Sequence, residues 1–219
     1  MKFLLTSGGI TNKTIASALE ELLVKPKSDS IVAFIPTAAN VEKGDKNWLI
    51  NDLYRVNAEG YQYVDIVDIS AVGEELWKPR LEQADVLFFG GGNTFHLLYW
   101  LKRSGLGEML PHLLQTRIYV GISAGSMVTG KSISLSQSEK LYYDDLGKYD
   151  DEHGLGFVDF SFRPHLHSPH FPNVNSQMLE QLAKELSEPV YALDDEMALK
   201  VVNDRIEPVG EGEYLLFNK

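Results

Sequence analysis

The run Ile118-Tyr119-Val120-Gly121-Ile122 breaks without a spacer into Ser123-Ala124-Gly125-Ser126. β-branched and aromatic residues in an unbroken apolar stretch read as a strand buried on both faces, and the small residues after it permit a tight turn into a helix. That junction draws the chain toward an interior sheet covered by helices. The same order recurs along the sequence. Lys2 to Thr6 is a strand ending in Ser7-Gly8-Gly9, and a helix follows with Ile15, Leu19, Leu22 and Leu23 on one face. Ile31 to Ile35 is a strand closed by Pro36, before a helix marked by Trp48, Leu49, Leu53 and Val56. Tyr63 to Val67 is a third strand, Glu74 to Gln83 a short helix interrupted near Pro79, and Asp85 to Phe89 a fourth strand.

Gly90-Gly91-Gly92-Asn93-Thr94 follows that fourth strand. Its glycines leave backbone N–H groups unshielded, and Asn93 suits the N-cap of a helix carrying Leu97, Leu98 and Leu101. A tight strand-to-helix turn explains the triple glycine as well as an anion-binding loop does. It is neither a G-x-G-x-x-G fingerprint nor a P-loop, so a nucleotide site has little support. A short helix over 107–114 leads to the central strand. Beyond it, Ser132 to Ser138 reads as extended, Lys140 to His153 as an acidic surface excursion that suits a lid, and Gly154 to Phe162 as a strand. A helix with Val174, Met178, Leu179, Leu182 and Leu186 precedes a strand over 190–193. Residues 198–202, 205–209 and 214–217 read as short antiparallel strands.

The chain has 219 residues, 44% hydrophobic and 23% charged, which predicts one α/β domain over residues 1–219. A net charge of −11 argues against nucleic acid or an anionic membrane as partner. No signal-peptide pattern and no bilayer-length apolar run is present, so a cytoplasmic protein is expected. With no cysteine, there is no disulfide and no thiol nucleophile.

Gly121-x-Ser123-x-Gly125 matches a nucleophile elbow, in which a serine is held at the tip of a turn too sharp for larger neighbours. The bland alternative is that Ser123 caps the following helix. His165, His167 and His170 crowd one segment, but their proline-broken spacing does not suit a metal, and none is expected. His165, at a strand end, is the best placed to act as a base for Ser123.

In this order, Gly90-Gly91-Gly92-Asn93-Thr94, Gly121-Ile122-Ser123-Ala124-Gly125-Ser126, Pro164-His165 and Leu193-Asp194-Asp195 resemble the serine peptidase family of dipeptidase E (aspartyl dipeptidase) and cyanophycinase. The resemblance spans almost the whole chain. It implies a flavodoxin-like, doubly wound, mostly parallel sheet related to class I glutamine amidotransferase-like domains, with short antiparallel strands at the C-terminus. It implies Ser123 as nucleophile, His165 as base and the backbone N–H groups of Gly92 and Ala124 as oxyanion hole. For the acid, Asp195 stands where cyanophycinases carry a glutamate, with Asp194 and Glu139 as alternatives. The implied substrate is a short peptide with an N-terminal aspartyl residue, cleaved without a cofactor by a monomer or homodimer. Asn93 and Arg163 are the candidate substrate-binding residues, Arg163 as the cation for a substrate carboxylate, with Lys131 in reserve. The segment Ser134 to Glu139 departs from the threonine-rich, Asn-Asp-containing stretch of dipeptidase E. A cyanophycinase-like hydrolase, an esterase or a catalytically silent binding protein therefore stays open.

Overall fold

A computed structural model describes residues 1–142 and 151–219. Strands β1 (Lys2–Thr6), β2 (Ile31–Ile35), β3 (Tyr63–Ile66), β4 (Val86–Phe89) and β5 (Ile118–Ile122) are all parallel in the order β3-β2-β4-β5-β1. Helices α1 (Lys13–Glu20), α2 (Asn47–Ala58), α3 (Glu74–Gln83), α4 (Thr94–Arg103) and α5 (Leu106–Leu113) connect them.

Strand side chains alternate between faces, and the two faces hold separate cores. Leu4, Phe34, Phe88 and Val120 pack with Ile15 and Leu19 of α1 and Val56 of α2. Leu5, Ile35, Phe89 and Tyr119 pack with Trp77 of α3, Phe95 and Leu98 of α4 and Leu110 of α5. This is the doubly wound arrangement that continuous apolar strands require, since each face must be covered.

After β5 come α6 (Ala124–Met127), α7 (Leu135–Tyr142), β6 (Ser161–Arg163), α8 (Ser176–Ala183), β7 (Val190–Leu193), β8 (Met197–Val202), β9 (Arg205–Gly210) and β10 (Tyr214–Phe217). β8 runs antiparallel to β1 and pairs with β9, extending the large sheet. β10, β7 and β6 form a second, three-stranded sheet.

The structure corrects three readings. α3 continues through Pro79, anchored on either side by buried Trp77 and Leu81. Residues 135–138 are helical in α7, where Gln137 donates to the Leu182 carbonyl at 3.2 Å. The strand expected over 154–162 shrinks to Ser161–Arg163, because the backbone of 154–157 bonds to the loop after α6, as in Leu155 N–H to Val128 O at 2.8 Å. Most of the acidic excursion, residues 143–150, lies outside the described residues. Among those described, no helix is long and apolar enough to cross a membrane.

Candidate active site

The five parallel strands end at one edge of the large sheet, where ligands of such sheets collect. Ser123 stands there at the end of β5, with φ 49° and ψ −105°. A non-glycine residue rarely occupies positive φ, at a cost of about 1–3 kcal/mol that the surroundings must hold. The glycines on either side explain how the turn closes. A β-carbon at Gly125 would run into the Phe89 carbonyl, and one at Gly121 into the Gly125 backbone. Buried side chains brace the turn: Tyr119 Oη donates to Gly125 O at 2.6 Å, Ser126 Oγ to Thr6 O at 2.8 Å, and Thr6 Oγ1 to Gly121 O at 2.7 Å.

Topology brings the other two groups to the same edge. β6 and β7 are parallel neighbours, with Arg163 opposite Ala192. Their C-terminal exits therefore lie side by side, one leading to Pro164-His165 and the other to Asp194-Asp195. β8 starts where β1 ends, Ala198 opposite Thr6, which sets Asp195 beside Ser7.

The result is a continuous relay. His165 Nε2 is 2.8 Å from Ser123 Oγ, and His165 Nδ1 is 2.6 Å from Asp195 Oδ1. His165 itself has φ 66°, and its ring stacks on Phe171 with centroids 4.7 Å apart. Burial pushes the Asp195 carboxyl up, but the hydrogen bond and charge of His165, the Ser7 hydroxyl and the His170 charge together hold it below its ordinary value.

Ser7 completes the arrangement, and sequence reasoning gave it no role. Its hydroxyl donates to Asp195 Oδ1 at 2.9 Å and accepts from the His165 backbone N–H at 2.7 Å. The available signal was its place at the end of the first strand, before two glycines. Thr11 Oγ1 also donates to the Asp195 carbonyl, at 2.9 Å.

The alternatives to Asp195 sit elsewhere. Asp194 accepts the backbone N–H groups of Glu196 at 3.0 Å and Glu213 at 2.6 Å, which makes it a turn-forming residue, while Glu139 is exposed on α7. His167 and His170 are exposed, and no group of three or more His, Asp or Glu among the described residues could hold a metal ion. Gly92, at φ 127°, is pressed against Ala38 so closely that a β-carbon would collide there. Ala124 opens α6, where a backbone N–H has no intrahelical acceptor.

The residues expected to bind substrate fare differently. Asn93 is buried and caps α4, its side-chain oxygen accepting from His96 N–H at 2.9 Å. Arg163 is corrected: only 3% exposed, it donates to Gln137 Oε1 of α7 at 2.9 Å and to its neighbour's Phe162 carbonyl at 3.3 Å. Strand alternation turns Phe162 into the main core and Arg163 toward α7, away from the solvent-facing rim. Lys131 is exposed and paired with Asp159 at 2.6 Å.

The family model for peptidase family S51 matches residues 3–209. Peptidase E of Streptomyces coelicolor is 28% identical over 200 residues, covering 87% of this chain and 79% of that protein. An uncharacterized peptidase of Pasteurella multocida is 27% identical over 177 residues, covering 79% and 82% of the two chains. The crystal structure of a protein provisionally designated Peptidase E from Listeria monocytogenes superposes with a TM-score of 0.78 at 23% identity, over 96% of this chain and 98% of that one, a likeness in fold. With the family match running from the first strand to the end of β9, the chain belongs to peptidase family S51.

Proposed function

We propose that this peptidase is of the serine type and cleaves short peptides through Ser123, His165 and Asp195. The relay of 2.8 and 2.6 Å contacts is the observation that carries the reading. Ser123 Oγ attacks the scissile carbonyl carbon while His165 Nε2 takes its proton. Asp195 holds the imidazole by its Nδ1–H and stabilises the imidazolium. The carbonyl oxygen, now carrying negative charge, is received by the N–H groups of Gly92 and Ala124, a type of contact worth about 10²–10³ in kcat. The C–N bond then breaks as the departing amine takes the proton from His165, leaving an acyl ester on Ser123. Water attacks that ester with His165 again as base, and proton return to Ser123 Oγ frees the acid.

The substrate reading is a peptide with an acidic first residue. A carboxylate approaching a chain of net charge −11 needs a local cation, and with Arg163 buried that role passes to Arg55 of α2. Its exposed guanidinium donates to the carbonyl of Gly8, next to Ser7, at 3.3 Å.

A fluorophosphonate probe is expected to label Ser123, and Ser123→Ala or His165→Ala to abolish turnover without loss of fold. Unchanged hydrolysis by purified Ser123→Ala protein would overturn the mechanism. A dipeptide panel varied at the first residue tests specificity: preference for neutral or basic first residues rejects the aspartyl reading and leaves the serine peptidase standing.

A further inference from the structure

α2 runs beside the site, and its residues Trp48, Asp52 and Arg55, at i, i+4 and i+7, share one helical face. That face meets the glycine turns at the sheet edge. A β-carbon on Gly91 would lie 3.5 Å from Ser123 Cβ and 3.9 Å from Trp48 Cζ3, so the indole, 37% exposed, flanks the nucleophile. One turn further along, Asp52 Oδ1 reaches to 3.3 Å from where a β-carbon on Gly9 would stand, and Ile122 Cδ1 lies 3.5 Å from that same point. Arg55 follows, on the Gly8 carbonyl.

Asp52 is the unusual member. It is 9% exposed, and among the described residues no hydrogen bond or ion pair engages its carboxylate. The carboxylate of a residue this little exposed is normally paired or hydrogen-bonded, since desolvation of an unpaired charge is costly. The charges acting on it are Arg55 of its own helix, which favours the ionised form, and Asp195 across the Gly8-Gly9 turn, which opposes it. A cation supplied from outside the chain would complete the site.

We propose that Asp52 receives the α-ammonium group of the substrate's first residue, with Trp48 as the wall along which that residue lies. The proposal rests on the serine peptidase reading above. In a peptide cut after its first residue, the ammonium nitrogen is two covalent bonds from the carbonyl carbon that Ser123 attacks. Its receptor must therefore belong to the rim of the nucleophile, where α2 places Trp48 beside Gly91 and Ser123 and, one turn on, Asp52 against Gly9 and Ile122, the residue before Ser123. Arg55 beside Asp52 then places a cation where the side-chain carboxylate of an aspartyl first residue leaves the same Cα. Ammonium and carboxylate are read by adjacent groups of opposite sign, and a peptide with a blocked amino group or a basic first residue is disfavoured.

The test is the ratio of kcat/KM for the best dipeptide to that for its N-acetyl form. A charge-assisted contact predicts a preference of about tenfold or more for the free amine in the wild-type enzyme. Asp52→Asn, nearly isosteric, is expected to shrink that ratio by about tenfold, chiefly through KM for the free-amine peptide. An unchanged ratio in a folded Asp52→Asn protein overturns the proposal. So does a wild-type enzyme indifferent to acetylation, a measurement that needs no variant. Fluorophosphonate labelling of wild-type Ser123 separates the two levels. Without labelling the serine peptidase reading fails, whereas labelling without amine preference removes only the role of Asp52.

Discussion

A serine hydroxyl is a weak nucleophile, and what distinguishes Ser123 is the chain of contacts behind it. His165 reaches Asp195 through one hydrogen bond, and the same Asp195 oxygen also accepts from Ser7. Asp195→Asn keeps the shape but offers an amide, which favours the wrong imidazole tautomer. It should lower kcat by several orders of magnitude and move KM little, because orientation of the base matters in the transition state. A change confined to KM would move Asp195 to substrate binding. Ser7→Ala is subtler. It removes one donor to Asp195 and leaves the His165 backbone N–H without its 2.7 Å acceptor, at the position where φ is already 66°. We expect kcat to fall by about tenfold, as a misplacement of the imidazole, with the pH profile of kcat shifted. Lower thermal stability with kcat and its pH profile intact would make Ser7 purely structural.

At the scale of elements, the turn at Ser123 depends on close approach between β4, β5 and α6. Gly125→Ala would drive a methyl into the Phe89 carbonyl, and neither strand can retreat without opening the sheet. Overpacking of this kind costs about 1–3 kcal/mol and should displace Ser123 as well. Reduced probe labelling together with a lower Tm is the expected result, and wild-type values for both would disprove the packing argument. Tyr119 gives the complementary case, since its hydroxyl meets Gly125 O with no solvent access. Much of this element was legible in the sequence, because β1, β2, β4 and β5 are buried on both faces and leave unbroken apolar runs. α7 was not. Its serines alternate with other residues at a period of two, and they favour the helix weakly. The helix is held by distant partners, Gln137 bonding to α8 and to Arg163 of β6. For the same reason Ser123 and His165 could be singled out from local motifs and Asp195, with Asp194 and Glu139 as alternatives, only from the family resemblance, whereas Ser7, whose partner lies 188 positions away, could not be singled out at all. The burial of Arg163 is not legible because Pro164 hides the strand's alternation, and nothing in the local sequence sets Asp52 apart, its burial being visible only in the structure.

For the molecule as a whole, the buried Asp52 and the hydrogen-bonded Asp195 set opposing dependences of stability on pH. Burial first, and then the nearby Asp195 charge against the partial relief from Arg55, pushes the Asp52 carboxyl up to about 7. An unfolded aspartate titrates near ~3.9, so between these values the folded chain holds a proton that the unfolded chain has released. Stability from this group is therefore full below pH ~4, declines as pH rises toward ~7 and is level above. Asp195 is lowered, so its contribution is present at neutral pH and disappears only in acid, as pH falls through its folded value. Comparing wild type with Asp52→Asn isolates the first effect. The two should be nearly equal in stability at pH ~4, and the variant more stable at pH 8 by up to roughly 4 kcal/mol. A difference that does not change with pH, measured by denaturant unfolding, would show that Asp52 does not titrate in this range. The same proton links stability to ligand. If an ammonium group binds the ionised carboxylate, affinity must weaken below pH ~7, and binding at pH ~6 must release a proton from Asp52. Calorimetry of a dipeptide binding to Ser123→Ala protein in buffers of different ionisation enthalpy would detect that release, and its persistence in Asp52→Asn protein would assign the proton to another group.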